Sequence, residues 1–384
     1  MSRTRRRATI LGAAAASVVA GVALLPNWSA GAAVVDDPTV DAQTKATFQR
    51  LADAVFTDRT DALVEGKQGG RGKPLTDGFS GDVKLSSGTA RTEDAALSTL
   101  GRRKDTLAKA GEKYSKAATT VTLNATRVTG RTAKAAVTET TTLTYAQARG
   151  GAPKTTGFQA QHELTFKADQ RGTWQLTDVE DTDQGGLAVN TLSKPVSVKA
   201  TTADDTMPNA PRAATTRNPV AVPKTGTAYD YKAMATYAEK YWNVYNTAYP
   251  NYNGHADGGD CTNFVSQSLK AGGWKHVPGY VYDYTKWFGN ADIQSDSFVG
   301  VNEWSWFAQN SKRTTSLANV FQLEVGDVLQ MDFDKDGSKD HTMIVTYKSG
   351  GVPYVTYHSN NTYRRSVASL VASYPNAAFY AYRT

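Results

Sequence analysis

The sequence predicts an α+β protein of two domains, each placing helices ahead of an antiparallel sheet. Three observations carry this. The chain is 384 residues long, more than one ordinary hydrophobic core spans. Its apolar pattern changes from helical to alternating twice. Between the two changes, residues 198–227 are rich in Thr, Ala, Pro and Asn, with Pro208, Pro211, Pro219 and Pro223. Few apolar residues are available to bury there, so the stretch reads as a linker.

The chain starts like an export signal. Arg3, Arg5, Arg6 and Arg7 precede an apolar run from Ile10 to Leu25, and Ala30-Gly31-Ala32 fits a small-residue cleavage site, so residues 1–32 are assigned as a signal peptide and the mature chain starts near Ala33. The run is shorter than the roughly 18–20 apolar residues of a membrane span. Arg6-Arg7 hints at twin-arginine export, but the residues after the pair match that signal poorly, and ordinary secretion is the expectation.

The formal charge of +7 then shrinks. Four of the 43 basic residues and none of the 36 acidic ones lie in residues 1–32, leaving 39 against 36, about +3. That is too weak to argue for a nucleic-acid partner. No later run is apolar enough to span a bilayer, so no membrane is expected for the mature form.

Residues 33–197 form the smaller domain. Phe48, Leu51, Val55 and Phe56 give residues 34–66 a helical spacing, and residues 92–110 read as a second helix. Residues 118–128, 132–145, 157–167 and 172–179 alternate or are Thr/Val-rich, as strands do. This order of elements is similar to the cone-shaped, NTF2-like type, and no catalytic constellation accompanies it. His162 reads as a structural residue on a strand.

Residues 228–384 form the second domain, dense in Tyr and Trp. Helices are expected over 229–246, 261–271 and 304–309, and strands over 323–333, 341–347, 353–359 and 377–383. Its centre is Gly258-Gly259-Asp260-Cys261-Thr262-Asn263-Phe264-Val265. Cys261 is the only cysteine, so no internal disulfide exists, and an exported unpaired thiol is a liability unless buried or used. The glycines free the backbone, and the helical stripe of Phe264, Val265 and Leu269 begins beside Cys261. A thiol in a first helical turn meets free N–H groups and the positive end of the dipole, which favour the thiolate and would receive an oxyanion. Left to themselves, such a thiol and a strand-edge histidine are packed core residues.

A thiolate needs a base. His341 opens a predicted strand after the polar segment 332–340. A hairpin turn at Ser349-Gly350 would pair residue 341 with 358, placing His358 opposite His341 on one face; a shift of one residue brings in Asn360, and a longer loop Asn361. His358 is favoured, then Asn360.

Three segments now carry a resemblance. Gly259-Asp260-Cys261-Thr262-Asn263-Phe264-Val265, then Leu323-Glu324-Val325-Gly326-Asp327-Val328, then Asp340-His341-Thr342-Met343-Ile344-Val345 resemble the NlpC-like and CHAP cell-wall peptidases of the papain-like superfamily. The match is best to the bacterial putative amidase domain family, through Asp-Cys-Thr-Asn-Phe-Val-Ser-Gln. The resemblance implies a papain-like fold for residues 228–384, Cys261 as nucleophile, His341 as base, His358 as a third polar member, and peptidoglycan or a peptide as substrate. A non-catalytic wall-binding adaptor and an acyltransferase or transglutaminase-like enzyme are the alternatives. No cofactor is required.

Asp332, Asp334, Asp336 and Gly337, with Asp340 beyond, have the spacing of a calcium loop, although Met343 stands where such a loop carries glutamate. A structural calcium ion is the expectation if the loop is more than a polar hairpin. Trp274, Tyr280, Tyr282, Tyr284, Trp287, Trp304 and Trp306 could line a substrate groove or pack in the core. His255 and His276 read as surface residues.

Overall fold

The computed structural model describes residues 40–66, 84–147, 151–183, 187–195, 197, 207–225, 229–253 and 259–384. The expected signal peptide and His255 lie outside them. Among the described residues no helix is long and apolar enough to cross a membrane.

The N-terminal part comprises α1 (Ala42–Asp61), β1 (Lys84–Leu85), α2 (Ser87–Lys109), β2 (Tyr114–Thr129), β3 (Thr132–Tyr145), β4 (Thr155–Ala168) and β5 (Trp174–Asp181). Asp41 and Ser86 cap the two helices by accepting from the N–H of Thr44 and Thr89. Phe48, Leu51, Val55 and Phe56 of α1 pack on Val121, Val137, Leu164 and Phe166 of the sheet, as their spacing predicts.

The C-terminal part comprises α3 (Tyr231–Tyr241), α4 (Cys261–Ala271), α5 (Asp296–Val299), α6 (Val301–Asn310), β6 (Thr315–Leu317), β7 (Val328–Asp332), β8 (His341–Ser349), β9 (Val352–Tyr357), β10 (Asn361–Ser366), α7 (Val367–Ser373) and β11 (Ala378–Arg383). The protein is α+β, and its sheet is antiparallel apart from the β1–β5 pair.

The two parts do not carry separate sheets. One 11-stranded sheet runs β1-β5-β4-β10-β9-β8-β7-β11-β6, with β3 on the other edge of β4 and β2 beyond it. Strand β4 gives residues 162–168 to β5 and residues 157–159 of the same edge to β10. Among the described residues one apolar cluster lies between α1 and the N-terminal sheet, a second gathers α2 with β2, β3 and β4 and meets Ala372 of α7, and two others cover opposite faces of the C-terminal sheet, one of them taking in Leu187.

Described residues 207–225, within the expected linker, are held against the C-terminal part. Ala213 N–H bonds the carbonyl of Phe379, Asn319 holds the carbonyl of Thr216, and Lys224 reaches Asp327 at 2.8 Å. The strand expected over 323–333 starts only at Val328, because Gly326 takes φ +85° and Asp327 turns inward to bond Lys224, Arg383 and the N–H of Glu324 and Thr384. The Gly-Asp pair of the second motif is thus a fastening for the C-terminus.

The β8–β9 hairpin also departs from expectation. Gly350 and Gly351 both take positive φ, as the tight turn requires, so Ser349 pairs with Val352. A bulge between Val345 and Tyr347 then returns the register by one, giving Ile344–Thr356. Continued outward, this places His358 opposite Thr342 rather than His341. A one-residue slip exchanges faces, so His341 and His358 lie on opposite faces of the sheet.

Candidate active site

Helix α4 begins at Cys261, with the first helical bond from Phe264 N–H to the carbonyl of Asp260 at 2.9 Å. It is buried from Cys261 to Leu269. Phe264, Val265 and Leu269 share an apolar cluster with Ile344 of β8. Within the core Ser266 accepts from Trp287 Nε1 at 3.2 Å and Gln267 from the Tyr237 hydroxyl at 2.6 Å. Glycines end it as the sequence predicts. Gly273 takes φ +102°, and a Cβ on Gly272 would strike Met234.

Cys261 is buried, 3% exposed. Its sulfur lies 3.7 Å from the Thr262 hydroxyl and is hydrogen-bonded by the main chain of Thr342. The hydroxyls of Thr262 and Thr342 meet at 2.9 Å, and Gln330 adds a 3.1 Å bond to Thr342. Thr342 therefore faces α4. The expected low thiol pKa is not found: burial pushes the Cys261 thiol up, and the Thr342 and Thr262 hydrogen bonds only partly oppose it.

His341 precedes Thr342, the residue whose main chain meets the thiol. Alternation turns the ring to the other face, where it meets Tyr357 edge-on at 5.0 Å beside the cluster holding Met331 and Met343. His341 is 2% exposed, its Nε2 is buried without a hydrogen-bond partner, and burial pushes its pKa down to about 3. The expected thiolate–imidazolium pair is thus replaced by two neutral groups with no hydrogen bond between them.

None of the expected third members bonds His341. His358 reaches Asp260 instead: its Nδ1 lies 2.6 Å from Asp260 Oδ2 and its Nε2 2.8 Å from the Tyr241 carbonyl. The ring is clasped between Phe264 and Tyr245, with centroids at 4.0 and 4.6 Å. Asp260 completes its shell with Tyr252 N–H at 3.1 Å and Asn263 Nδ2 at 2.8 Å. It orients a ring and gives α4 no side-chain cap. Asn360 bonds Asp183 and the N–H groups of Leu187 and Ala188. Asn361 accepts from the Tyr245 hydroxyl at 3.0 Å.

The acidic loop partly gathers. Carboxylate oxygens of Asp332, Asp334 and Asp340 lie within 4.8 Å of one another, but Asp336 is not among them and accepts from Ser338 N–H. Asp332 also accepts from the N–H of Lys335 and Gly337, and Asp340 from Phe333 N–H. Of the aromatics, Trp274, Trp287 and Trp304 are core, whereas Tyr280 and Tyr282 are exposed. His276 is half-buried against Trp287 and Phe298 rather than on the surface. His162 is structural, held between Asp181 and Glu139.

Thr262, Thr342, Tyr241 and Asp183 were not singled out from the sequence. In the sequence, only the hairpin register with its bulge would signal that Thr342 faces the cysteine helix.

Residues 228–382 match the family model described as putative amidase domain. Two uncharacterized proteins of Bacillus subtilis (strain 168) are similar: YhbB, 35% identical over 142 residues, covering 35% of this chain and 44% of that one, and YjcM, 32% identical over 140 residues, covering 35% and 31%. The chain thus spans less than half the length of either relative. Among solved structures, the intermembrane space region of the chloroplast protein ARC6 is matched at 14% identity and TM-score 0.24, over 38% of this chain and 98% of that one.

Proposed function

We propose that residues 228–384 form a cysteine-dependent amidase or peptidase that acts outside the cell on peptidoglycan stem peptides or cross-bridges. The amidase-domain match supports amide hydrolysis. The observation that carries the cysteine mechanism is the position of Cys261 Sγ, in the first turn of α4 against the main chain of Thr342, the residue that follows His341.

The chemistry starts from neutral partners. With the His341 ring turned from the Tyr357 face toward α4, the thiol sulfur attacks the amide carbonyl as its proton passes to that imidazole, which burial keeps unprotonated. First-turn N–H groups of α4, which have no acceptor within the helix, receive the oxyanion. The imidazolium then protonates the leaving amine, the C–N bond breaks and a thioester remains. Water, deprotonated by His341, releases the acid and regenerates the thiol. An amine in place of that water gives the acyl-transfer alternative. His358 does not fit the role of base. The carbonyl of Tyr241 can only accept, so Nε2 carries a hydrogen directed away from any thiol.

A second reading, a wall-binding adaptor without catalysis, draws on the buried neutral thiol and the unmade Cys261–His341 bond. Peptidoglycan fragments incubated with the full-length protein and weighed by mass spectrometry separate the readings. Gain of one water per cleaved bond, lost in Cys261→Ala, supports the hydrolase. Fragments bound but unchanged support the adaptor. We further propose that Asp332, Asp334 and Asp340 hold a structural calcium ion.

A further inference from the structure

The turn that carries His358 is built by both parts of the chain. Ser359 and Asn360 take φ +74° and +102°, consecutive left-handed values that side-chain-bearing residues adopt only when their surroundings enforce them. Both are buried. The enforcement comes from the N-terminal part. Asn360 Oδ1 accepts from the N–H of Leu187 and Ala188, and its Nδ2 donates to Asp183 Oδ2 at 2.7 Å. Asp183 Oδ2 in turn accepts from Gln161 N–H at 2.5 Å, on the edge of β4 that passes from β5 to β10. On the other side of the turn, His358 holds Asp260, and Ser359 fills the space over Gly259, where a Cβ would lie 1.9 Å from Ser359 Oγ. The turn therefore links β4 to the residues preceding Cys261.

We infer that the N-terminal domain is a working part of the site: Asp183 and Asn360 are positioning residues that clamp the 358–361 turn and so fix Asp260, and with it the tip of the helix bearing Cys261. The catalytic consequence rests on the amidase reading, while the clamp itself does not. The clamp also gives the shared sheet a purpose, since the short β4–β10 pairing of three residues brings Asp183 and Asn360 together.

The test reads the seating of the His358 ring, held between Asp260 and the Tyr241 carbonyl, in full-length protein. The ring N–H signal of His358 is identified in the proton NMR spectrum by its loss in His358→Asn, and its exchange with solvent is timed. Asp183→Ala and Asn360→Gly should each speed exchange about fivefold or more. Glycine takes the left-handed turn without strain, so Asn360→Gly removes the contacts alone and carries the test if Asp183→Ala fails to fold. Tyr347→Phe, which deletes the hydrogen bond from Tyr347 to the Gly151 carbonyl elsewhere between the two parts, should leave exchange unchanged. Parent-like exchange in Asn360→Gly overturns the clamp, and so does equal acceleration by Tyr347→Phe. Where the parent hydrolyses amides, Asn360→Gly should lower kcat with KM held within about twofold. A parent that hydrolyses nothing while its N–H signal still responds overturns the amidase reading and leaves the clamp standing.

Discussion

The imidazole of His358 lies 2.6 Å from the carboxylate of Asp260, the residue that precedes Cys261, and its other nitrogen lies 2.8 Å from the Tyr241 carbonyl. The ring thereby ties α3, the start of α4 and the end of β9 together at the thiol. Both side chains are almost wholly buried. Removing the ring leaves a carboxylate without its main partner inside the fold, a change that costs about 3–5 kcal/mol in buried pairs. His358→Ala should therefore lower the urea-unfolding free energy by that order. A loss under about 1 kcal/mol would show that the bond is not made in solution.

The contact between Gly259 and Ser359 gives a reciprocal test. A methyl group on Gly259 meets Ser359 Oγ at 1.9 Å and Cβ at 2.9 Å, so Gly259→Ala should displace the turn and cost about 1–3 kcal/mol. Adding Ser359→Gly vacates the space and accepts the left-handed backbone. The double variant should recover most of the loss, which a double-mutant cycle of thermal melts would read as coupling.

Stability should fall on both sides of neutrality, for different reasons in the two parts. Burial pushes His341 from 6.5 down to about 3. Between these values the unfolded chain binds a proton that the folded chain refuses, so stability is full above about pH 6.5 and falls as the pH drops toward 3. His162 moves the other way, to about 9: burial alone would lower it, but Asp181 and Glu139 override that. Its contribution is full below about pH 6.5 and is lost as the pH rises through 9. Melting temperatures across pH should therefore fall on both limbs. His341→Gln should flatten the acid limb and His162→Gln the alkaline one.

A calcium ion on Asp332, Asp334 and Asp340 would raise the melting temperature in proportion to the logarithm of its concentration once saturating. Chelator should reverse the gain, and Asp334→Asn should abolish it. A melt indifferent to both calcium and chelator would leave the loop a hairpin closed by its own N–H bonds to Asp332 and Asp340.

Much of this architecture is legible in the sequence because periodicity and glycine placement are local signals. Helix α4 starts at Cys261 and β8 at His341, as the motifs predict. The joined sheet is not legible. Strand β10, Asn-Thr-Tyr-Arg-Arg-Ser, has no apolar alternation, since the residues it buries between β4 and β9 are polar: Asn361, Thr362, Arg365 and Ser366. The facing of the two histidines was missed because it depends on parity: the turn lies one residue beyond the expected one, and the bulge between Val345 and Tyr347 takes one residue back. The protonation of the site was misjudged because a helix start predicts only the dipole, whereas burial, the larger effect on both Cys261 and His341, depends on tertiary packing.

The central claim is that Cys261 attacks an amide carbonyl, and its most direct test is to catch the thioester. Full-length protein is mixed with a peptidoglycan stem peptide, quenched in acid within the first turnover and analysed by mass spectrometry after digestion. The account predicts an acyl adduct on the peptide containing Cys261, present in wild type, reduced at least about 100-fold in formation rate by His341→Ala, and absent in Cys261→Ala. Cleavage that proceeds at the wild-type rate in Cys261→Ala would contradict it.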